Sequence, residues 1–337
     1  MVALFRSIYT KVLLSAAYIA VAIHIVGQLF RYYTSPPSAA VDLNVAVKVP
    51  TFDPPSGTEK EDEIQLPDSF NYTLDNYRLC VRGDPYGGLV LILVSSKSIN
   101  FRERIAIRGT WGLSSRDHGF VLAFLLGRSE KSGIQDLVLA EDDHYYDIIQ
   151  GDFPDANATL KTIMMLHWVS VFCPGAKFVL KTNDDVLVNP WGLWSEAYTS
   201  LKNSKWTMWG LKYEEVRLPS KASSDALIED EGEVRGPFLD GSSYLFTADC
   251  ASLLYSLSIS DPSVPVNDAY LTGELALEAG LRVVHHPGFQ LSRTLFRPCA
   301  VPRQITRRGF DPMALLKVWK TVPIKSKTFR CNITSST

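Results

Sequence analysis

The distribution of apolar residues divides the chain into three parts. Residues 12–30 form one apolar segment without a charged side chain. Residues 31–85 contain several prolines and the charged run 59–63 but few apolar clusters, so this part cannot bury enough apolar surface to fold by itself. From residue 86 onward, short apolar runs alternate with longer stretches of helical periodicity. The pattern predicts an N-terminal segment, a connecting stem and a folded domain over residues 86–337.

The apolar runs of the folded part predict its secondary structure. We predict strands at residues 89–94, 120–126, 136–140, 178–181, 206–210, 243–246 and 282–286. We predict helices at residues 103–111, 159–172, 250–257 and 267–280. Continuously apolar strands that alternate with helices are typical of an α/β fold with a mainly parallel central sheet.

The N-terminal apolar segment is long enough to cross a membrane. At about 1.5 Å per residue, residues 12–30 span roughly 28 Å, which is close to the thickness of a bilayer's hydrocarbon core. Arg6 and Lys11 precede the segment, which favours a cytoplasmic tail over residues 1–11. A cleaved signal peptide is the alternative, but its apolar part is usually shorter. We therefore expect an uncleaved, single-pass signal anchor followed by a lumenal stem over residues 31–85.

Other features of the sequence agree with a lumenal domain. Three Asn-x-Ser/Thr sequons are present, and they begin at Asn71, Asn157 and Asn332. Five cysteines, namely Cys80, Cys173, Cys250, Cys299 and Cys331, allow one or two disulfides with at least one cysteine left over. The alternative for Cys173 and Cys250, which lie in apolar helical surroundings, is that they are buried thiols. The net charge of −2, without a basic block, argues against a nucleic-acid partner.

The triplet Asn183-Asp184-Asp185 is the first candidate for chemistry. It directly follows an apolar run that predicts a buried strand, and ligands of open α/β sheets bind at the carboxyl ends of strands. Adjacent carboxylates suit a divalent cation and the phosphate oxygens that it bridges. The alternative is a solvated turn without a ligand.

Six ordered motifs give the triplet a context. They are residues 104–112 (RIAIRGTWG), residues 124–127 (FLLG), residues 141–153 with the pattern E…YxDI…DF, residues 157–162 (NATLKT), residues 181–185 (KTNDD) and residues 268–273 (DAYLTG). In order and spacing they resemble motifs of the β-1,3-glycosyltransferases of glycosyltransferase family 31, over roughly residues 86–320. That family includes β-1,3-galactosyltransferases and β-1,3-N-acetylglucosaminyltransferases.

The resemblance implies a GT-A-like domain that transfers a sugar from a UDP-sugar donor to a glycan acceptor. Asp185 would hold a divalent cation, Mn²⁺, that bridges the donor phosphates. Asp184 would orient the cation's waters, Asn183 or the ribose. Arg104 and Arg108, which lie four residues apart on one helical face, could reach the diphosphate or the carboxylates around it. For these two arginines the alternative is an ion pair on the helix surface.

Lys161 could serve the same donor site, with a solvated helix lysine as the alternative. Asp268 would be the catalytic base, because an inverting transferase needs a carboxylate that deprotonates the acceptor hydroxyl. The alternative for Asp268 is a plain helix N-cap. The resemblance also implies a type II membrane protein of the Golgi, whose catalytic domain acts in the glycosylation of glycoproteins or glycolipids.

Three departures from the family motifs favour a second hypothesis. Asn183 and Asn267 stand where the family has acids, and Thr306 stands where many members have a histidine. A non-catalytic lumenal relative that binds glycan or UDP-sugar would tolerate such changes, although Asp185 and Asp268 argue against it. A membrane-anchored, metal-dependent phosphohydrolase is a third hypothesis. It would explain the acids and arginines but not the six ordered motifs.

Overall fold

The structure is a computed structural model, and it describes residues 70–80, 89–214, 216–218, 233–235, 237–260, 266–291 and 304–321. The predicted tail, the predicted membrane segment 12–30 and most of the predicted stem lie outside these residues, as do Asn332, Cys299 and Cys331. Among the helices of the described ranges, none has the length and hydrophobicity that a membrane crossing requires.

The described residues form an α/β domain. Its strands are Tyr72–Leu74 (β1), Leu89–Ser95 (β2), Val121–Arg128 (β3), Ile148–Pro154 (β4), Ala176–Asn183 (β5), Val186–Val188 (β6), Thr207–Tyr213 (β7), Val216–Leu218 (β8), Glu233–Arg235 (β9), Phe238–Thr247 (β10), Arg282–His285 (β11), Phe289–Gln290 (β12) and Thr306–Arg308 (β13).

The helices are Phe101–Arg108 (α1), Trp111–Asp117 (α2), Ser132–Tyr145 (α3), Ala158–Phe172 (α4), Pro190–Ser195 (α5), Cys250–Ser258 (α6), Asp268–Tyr270 (α7), Ala276–Glu278 (α8) and Pro312–Thr321 (α9). A 3₁₀ turn covers Tyr77–Cys80, and π-helical turns cover Glu196–Ser200 and Leu271–Leu275. Because Leu271–Leu275 continues α7 into α8, the helix predicted at residues 267–280 is present with a π turn inside it.

The central sheet has eight strands in the order β1-β4-β3-β2-β5-β10-β7-β11. The pairs β2–β3, β2–β5 and β3–β4 are parallel, as predicted. Strand β10, however, is antiparallel to both β5 and β7, and β1 is antiparallel to β4. The expectation of a mainly parallel sheet therefore needs correction, since the sheet is mixed. In the chain, β7 and β10 are joined through the small antiparallel β8–β9 pair. Such a connection suits antiparallel neighbours, whereas parallel neighbours need a crossover connection, which is usually a helix.

The strand predicted at residues 136–140 is wrong, because these residues lie inside α3. Of its apolar residues, Val138 is fully buried, whereas Leu137 and Leu139 are exposed. A short apolar run does not by itself distinguish a buried strand from a helix. The fourth parallel strand is instead β4, in which Ile148 and Ile149 are buried.

Apolar side chains cover both faces of the sheet. Leu91 and Leu93 of β2 pack on one face with α4 and α6, whereas Val90, Ile92 and Val94 pack on the other face with α1 and α2. Successive side chains of a strand point to opposite faces, so a strand with two buried faces has a continuous apolar sequence. The strands most clearly predicted from the sequence are therefore those in the centre of the sheet.

The N-terminal border of the domain lies earlier than the predicted stem implied. Residues 70–80, which fall in the range 31–85, are joined to the domain through the β1–β4 pairing and a Cys80–Cys173 disulfide. In addition, Trp168 Nε1 donates a hydrogen bond to the Asp75 carbonyl oxygen at 2.6 Å. The prediction of a disulfide is thus confirmed, and the alternative of a free Cys173 is wrong. Cys250 is a buried free thiol.

Candidate active site

The acidic triplet lies at the carboxyl end of a central strand. Strand β5 runs between β2 and β10 and ends at Asn183, and Asp184 and Asp185 form the turn into β6. The last residue of the parallel neighbour β2, Ser95, is paired with Asn183. The structure thus confirms that the triplet lies at the sheet edge where ligands bind in open α/β folds.

Asp184 is held by the protein. Its Oδ2 atom accepts hydrogen bonds from Ser96 Oγ at 2.7 Å and from Asn100 Nδ2 at 2.8 Å. Both donors belong to the segment between β2 and α1. These contacts orient the carboxylate toward the protein, which agrees with a positioning role for Asp184 rather than with a role as the main cation ligand.

Asp185 is the more open carboxylate of the pair, and 39% of its side chain is exposed. Its carbonyl oxygen accepts hydrogen bonds from the backbone nitrogens of Gly309 and Phe310, both at 2.9 Å. Its Oδ2 atom lies 3.4 Å from Arg308 Nε. The turn that bears the carboxylate is therefore fixed by its backbone, while the carboxylate itself is partly exposed beside Arg308, which was not predicted from the sequence.

The residues near Asp185 fit a cation that is shared with a substrate. In the described part of the chain, no three His, Cys, Asp or Glu side chains form a group that could hold a metal alone. Mg²⁺-like cations in nucleotide sites use one or two carboxylates and complete their coordination with phosphate oxygens and water. An open Asp185 with Asp184 beside it is compatible with that arrangement but not with a cage made only of protein ligands.

Asp268 lies close to the triplet, since Lys181 contacts both Asn183 and Asp268, and its carboxylate is fixed by two donors. Its Oδ2 atom accepts a hydrogen bond from Lys181 Nζ at 2.8 Å, and its Oδ1 atom accepts one from Tyr244 Oη at 2.9 Å. A quarter of the Asp268 side chain remains exposed. The N-cap of the helix is Asn267, whose Oδ1 accepts from the backbone nitrogen of Tyr270 at 2.9 Å. The alternative of Asp268 as a plain N-cap is therefore wrong.

Lys181 connects the acidic triplet to Asp268. Besides Asp268, its Nζ atom donates to Asn183 Oδ1 at 3.2 Å and to the Gly241 carbonyl oxygen at 2.5 Å. The three acceptors match the three protons of an ammonium group. This role of Lys181 was not predicted, although a lysine in an otherwise apolar strand is a signal for it, because lysines are seldom buried unless they are paired.

Two residues of β10 shape the space around Asp268. Burial raises the pKa of the Tyr244 phenol well above its ordinary value, and the Asp268 charge raises it further, so Tyr244 remains a proton donor to the carboxylate. At Gly241, a Cβ atom would lie 2.7 Å from Asp268 Oδ2, closer than real Cβ contacts. A glycine at this position therefore allows the carboxylate to approach the strand.

Arg104 and Arg108 are not surface residues. The Arg104 side chain is completely buried and binds Glu141 at 2.6 Å, and Arg108 binds both Glu141 and Asp147 at 2.6 and 2.7 Å. Burial alone would raise the pKa of Glu141, but the two arginines outweigh it and hold that pKa below its usual value. The two arginines were predicted to reach the diphosphate or the carboxylates around it, and the structure pairs them with the carboxylates of Glu141 and Asp147. A contact with the diphosphate stays a prediction. The alternative of a helix-surface ion pair is wrong.

One hydrogen bond links this buried cluster to the site. Arg104 Nη1 donates to Ser96 Oγ at 3.3 Å, and Ser96 in turn donates to Asp184. Arg104 therefore acts on the acidic triplet through Ser96 and not by direct contact.

Lys161 is also buried. Its Nζ atom lies 3.0 Å from Asp155 Oδ1 and donates to the Ser96 carbonyl oxygen at 2.8 Å. Burial lowers the pKa of Lys161, and the charge of Asp155 partly opposes this shift. The alternative of a solvated lysine is wrong, because the side chain is buried beneath the segment after β2. A contact of Lys161 with the donor stays a prediction.

Thr306, which stands where many family members have a histidine, and the adjacent histidines His285 and His286 make other contacts. Thr306 is buried in β13, where it is paired with Val188. His285 Nδ1 accepts from the backbone nitrogen of Lys212 at 3.3 Å, and His286 Nε2 lies 3.7 Å from Glu196. Neither histidine is grouped with the acidic triplet.

Two of the three predicted glycosylation sites, Asn71 and Asn157, lie in the described part of the chain. Asn71 is exposed next to β1, and Asn157 caps α4 by accepting a hydrogen bond from the backbone nitrogen of Leu160 at 2.9 Å. Because the cap uses Oδ1 of Asn157, its Nδ2 atom, where a glycan would be attached, is not needed for the cap. Glycosylation at both sites stays a prediction.

Comparison with solved structures finds likenesses of low sequence identity, among them two glycosyltransferases. A glycosyltransferase involved in glycosylation of the major capsid of PBCV-1 has a TM-score of 0.40 at 10% identity, covering 69% of this chain and 100% of that one. The galactosyltransferase LgtC, in complex with donor and acceptor sugar analogues, has a TM-score of 0.36 at 10% identity, covering 69% and 96%.

Comparison of sequences is more informative. The family model described as Galactosyltransferase matches residues 102–287. β-1,3-Galactosyltransferase 1 of Homo sapiens and that of Mus musculus are each 31% identical to this chain over 278 residues, covering 79% of this chain and 82% of the relative. β-1,3-Galactosyltransferase 5 of Homo sapiens is 32% identical over 241 residues, covering 69% and 78%. The match extends over the acidic triplet and Asp268, and the chain belongs to the galactosyltransferase family.

Proposed function

We propose that the chain is an inverting β-1,3-glycosyltransferase that moves galactose or an N-acetylhexosamine from a UDP-sugar to a glycan hydroxyl. The family membership supports a hexosyltransferase, and the relatives named above are β-1,3-galactosyltransferases. The observation that carries the proposal is the Asp268 carboxylate, which Lys181 and Tyr244 fix close to the acidic triplet, where the carboxylate of Asp185 is partly exposed.

In the proposed reaction, Asp268 removes the proton of the acceptor hydroxyl. The acceptor oxygen forms a bond to the anomeric carbon of the donor sugar while the bond from that carbon to the diphosphate oxygen breaks. UDP leaves with the electrons of that bond, and the configuration at the carbon is inverted. A carboxylate accepts through several lone pairs, so Asp268 can accept from Lys181, Tyr244 and the acceptor hydroxyl together.

The donor site of the proposal lies at the acidic triplet. Asp185 would hold Mn²⁺ or another divalent cation, which when bound supplies positive charge to the leaving diphosphate. Asp184, held by Ser96 and Asn100, orients the groups around that cation. Asn183 lies beside Lys181 and is available to the donor. The domain would be a member of the GT-A class, in which a mixed α/β sheet presents the donor site at one edge.

The proposed location is the Golgi membrane, with a single-pass anchor over residues 12–30 and a lumenal catalytic domain. The Cys80–Cys173 disulfide supports this placement, because disulfides persist in the secretory pathway and are rare in the cytosol. Acceptors would then be glycans of glycoproteins or glycolipids on the lumenal side.

A donor and acceptor screen tests the proposal. The full-length protein, purified in detergent, is incubated with UDP-galactose, UDP-N-acetylglucosamine, UDP-N-acetylgalactosamine or UDP-glucose and with glycosides that end in β-galactose or β-N-acetylglucosamine. We expect UDP release that depends on the acceptor, and a β-1,3 linkage in the product by NMR. An α-linked product would contradict the inverting mechanism. UDP binding without transfer to any acceptor would favour the non-catalytic relative.

A further inference from the structure

Arg308 lies next to Asp185 because of the strand register. Strand β13 is antiparallel to β6, and Arg308 is paired with Val186, the residue after Asp185. The backbone nitrogens of Gly309 and Phe310 then donate to the Asp185 carbonyl oxygen. The two chain segments are therefore tied together by their backbones, and a guanidinium group is kept within reach of the carboxylate.

The contact between the two side chains is loose. Arg308 Nε lies 3.4 Å from Asp185 Oδ2, and about half of the Arg308 side chain is exposed. Arg104, by comparison, is completely buried and donates to Glu141 through both Nε and Nη2. Half-exposed ion pairs with one long contact contribute little to stability, so the Arg308 side chain can leave Asp185 at small cost.

A second polar pair, that of Tyr213 and Asp240, lies within reach of the Arg308 charge. Tyr213 is the last residue of β7, and its hydroxyl donates to Asp240 at 3.3 Å. Burial and Asp240 raise the pKa of Tyr213, while Arg308 acts in the opposite direction. The Arg308 charge is therefore near both Asp185 and the Tyr213–Asp240 pair.

We propose that Arg308 is an exchangeable counter-ion that occupies Asp185 in the free protein and binds the donor diphosphate when a divalent cation takes its place. This inference rests on the proposed function, since it assumes a diphosphate donor at Asp185. A guanidinium and a divalent cation on one carboxylate repel each other, so they compete for Asp185. The freed guanidinium can pair with phosphate oxygens through two parallel N–H donors.

The proposal predicts opposite effects on two affinities. Removal of the Arg308 charge should make Asp185 a better cation site, because its competitor is gone. The same change should weaken UDP binding, because the diphosphate loses a charged partner. A purely structural role of Arg308 would not increase the affinity for a metal.

The test uses the full-length protein in detergent and the variant Arg308→Gln. The dissociation constant of Mn²⁺ alone is measured by water-proton relaxation, and that of UDP at saturating Mn²⁺ by calorimetry. We expect Mn²⁺ to bind about two- to fivefold more tightly and UDP to bind at least about tenfold more weakly. Arg308→Lys should restore part of the UDP affinity, since it keeps the charge but loses the fork of donors.

The matched control is Arg282→Gln. Arg282 is an exposed strand arginine at the start of β11, at the opposite edge of the sheet, and its replacement should change neither affinity. In the Asp185→Asn background, Arg308→Gln should no longer change Mn²⁺ binding. Unchanged or weaker Mn²⁺ binding in a folded Arg308→Gln protein, or parental UDP affinity, would overturn the counter-ion role alone. A parent protein that binds no UDP with Mn²⁺ would overturn the proposed function as well.

Discussion

At the scale of single residues, two carboxylates of the candidate site have different surroundings and different proposed tasks. Asp268 is held by Lys181 and Tyr244, whereas Asp185 is partly exposed and makes a loose contact with Arg308. A base must be oriented toward the acceptor, and a cation ligand must remain accessible. The two roles can be separated experimentally, because one acts on the acceptor and the other on the donor.

Asp185→Asn should abolish turnover and sharply weaken UDP binding that depends on Mn²⁺. The loss of a charged ligand costs several kcal/mol of leaving-group stabilisation. Calorimetric titration of UDP with and without Mn²⁺ measures the effect. Undiminished Mn²⁺-dependent UDP affinity in a folded Asp185→Asn protein would show that the cation is held elsewhere.

Tyr244→Phe should lower kcat about tenfold or more and leave the KM of the donor nearly unchanged. The change removes only the hydroxyl that donates to Asp268, and a hydrogen bond to a charged group contributes roughly 1.5–3 kcal/mol. Steady-state kinetics in which the donor is varied at fixed acceptor provide the measurement. The control is Tyr146→Phe, at an exposed tyrosine of the α3 C-terminus. Equal loss in both variants would argue against a positioning role for Tyr244.

At the scale of elements, helix α1 is fastened to the segment behind the site by a buried ion cluster. Arg104 and Arg108, one helical turn apart, both bind Glu141 of α3. Ser96 connects the cluster to the acidic triplet, because it accepts a hydrogen bond from Arg104 and donates one to Asp184. The cluster can therefore support the site without touching a ligand. We expect its loss to affect stability first and activity only as a consequence.

Glu141→Gln should reduce the free energy of unfolding by about 3–5 kcal/mol, because it leaves the buried Arg104 charge without its partner. Asp152→Asn breaks the exposed Arg128–Asp152 pair and should cost no more than about 1 kcal/mol. Urea unfolding of the two variants provides the comparison. Similar costs for both would mean that the cluster around Glu141 contributes no more than a surface pair.

The same cluster predicts the direction in which the stability of the folded protein changes with pH. The folded-state pKa of Glu141 is lowered, so its contribution to stability is present above the ordinary glutamate pKa and is lost as the pH falls through the folded value. The parent protein should therefore lose stability in acid more steeply than Glu141→Gln does.

The elements also show which features of the structure can be predicted from the sequence and which cannot. The apolar runs of β2, β3 and β5 were predicted because both of their faces are buried, and the acidic triplet was placed correctly because it follows such a strand. The partners of Arg104, Arg108 and Lys181 were not predicted. Glu141 is 37 residues from Arg104, and Asp268 is 87 residues from Lys181, so only the fold brings these pairs together. Charge periodicity within one helix cannot indicate such contacts.

At the scale of the whole molecule, the structure extends the folded domain into the predicted stem. Residues 70–80 pair with β4 and are linked to α4 by the Cys80–Cys173 disulfide. The sequon at Asn71 is therefore on the folded domain and not on a free stem. In the sequence, Asn71 precedes strand β4 and Asn157 follows it.

Glycosidase digestion of the cell-made protein should lower its apparent mass while the protein stays in the membrane fraction after a carbonate wash. Asn71→Gln and Asn157→Asp should each remove one glycan. Aspartate is the better replacement at residue 157 because it caps a helix about as well as asparagine does. A secreted form that begins after residue 31 as the major product would instead indicate signal cleavage, and a mass unaffected by glycosidase would argue against the lumenal placement.

The central claim concerns Asp268, and the replacement Asp268→Asn is its most direct test. Asn267 caps the helix, so the change at Asp268 leaves the cap in place. A general base contributes roughly 10²- to 10⁴-fold to the rate and acts on the acceptor. The matched control is Asp249→Asn, at an exposed aspartate before α6, at the opposite edge of the sheet.

The measurement is the transfer rate of Asp268→Asn beside its UDP-sugar affinity in the presence of Mn²⁺. The proposed mechanism predicts that transfer falls by at least about a hundredfold while donor affinity stays close to that of the parent and of Asp249→Asn. Transfer at the parental rate in a folded Asp268→Asn protein would contradict the assignment of Asp268 as the base.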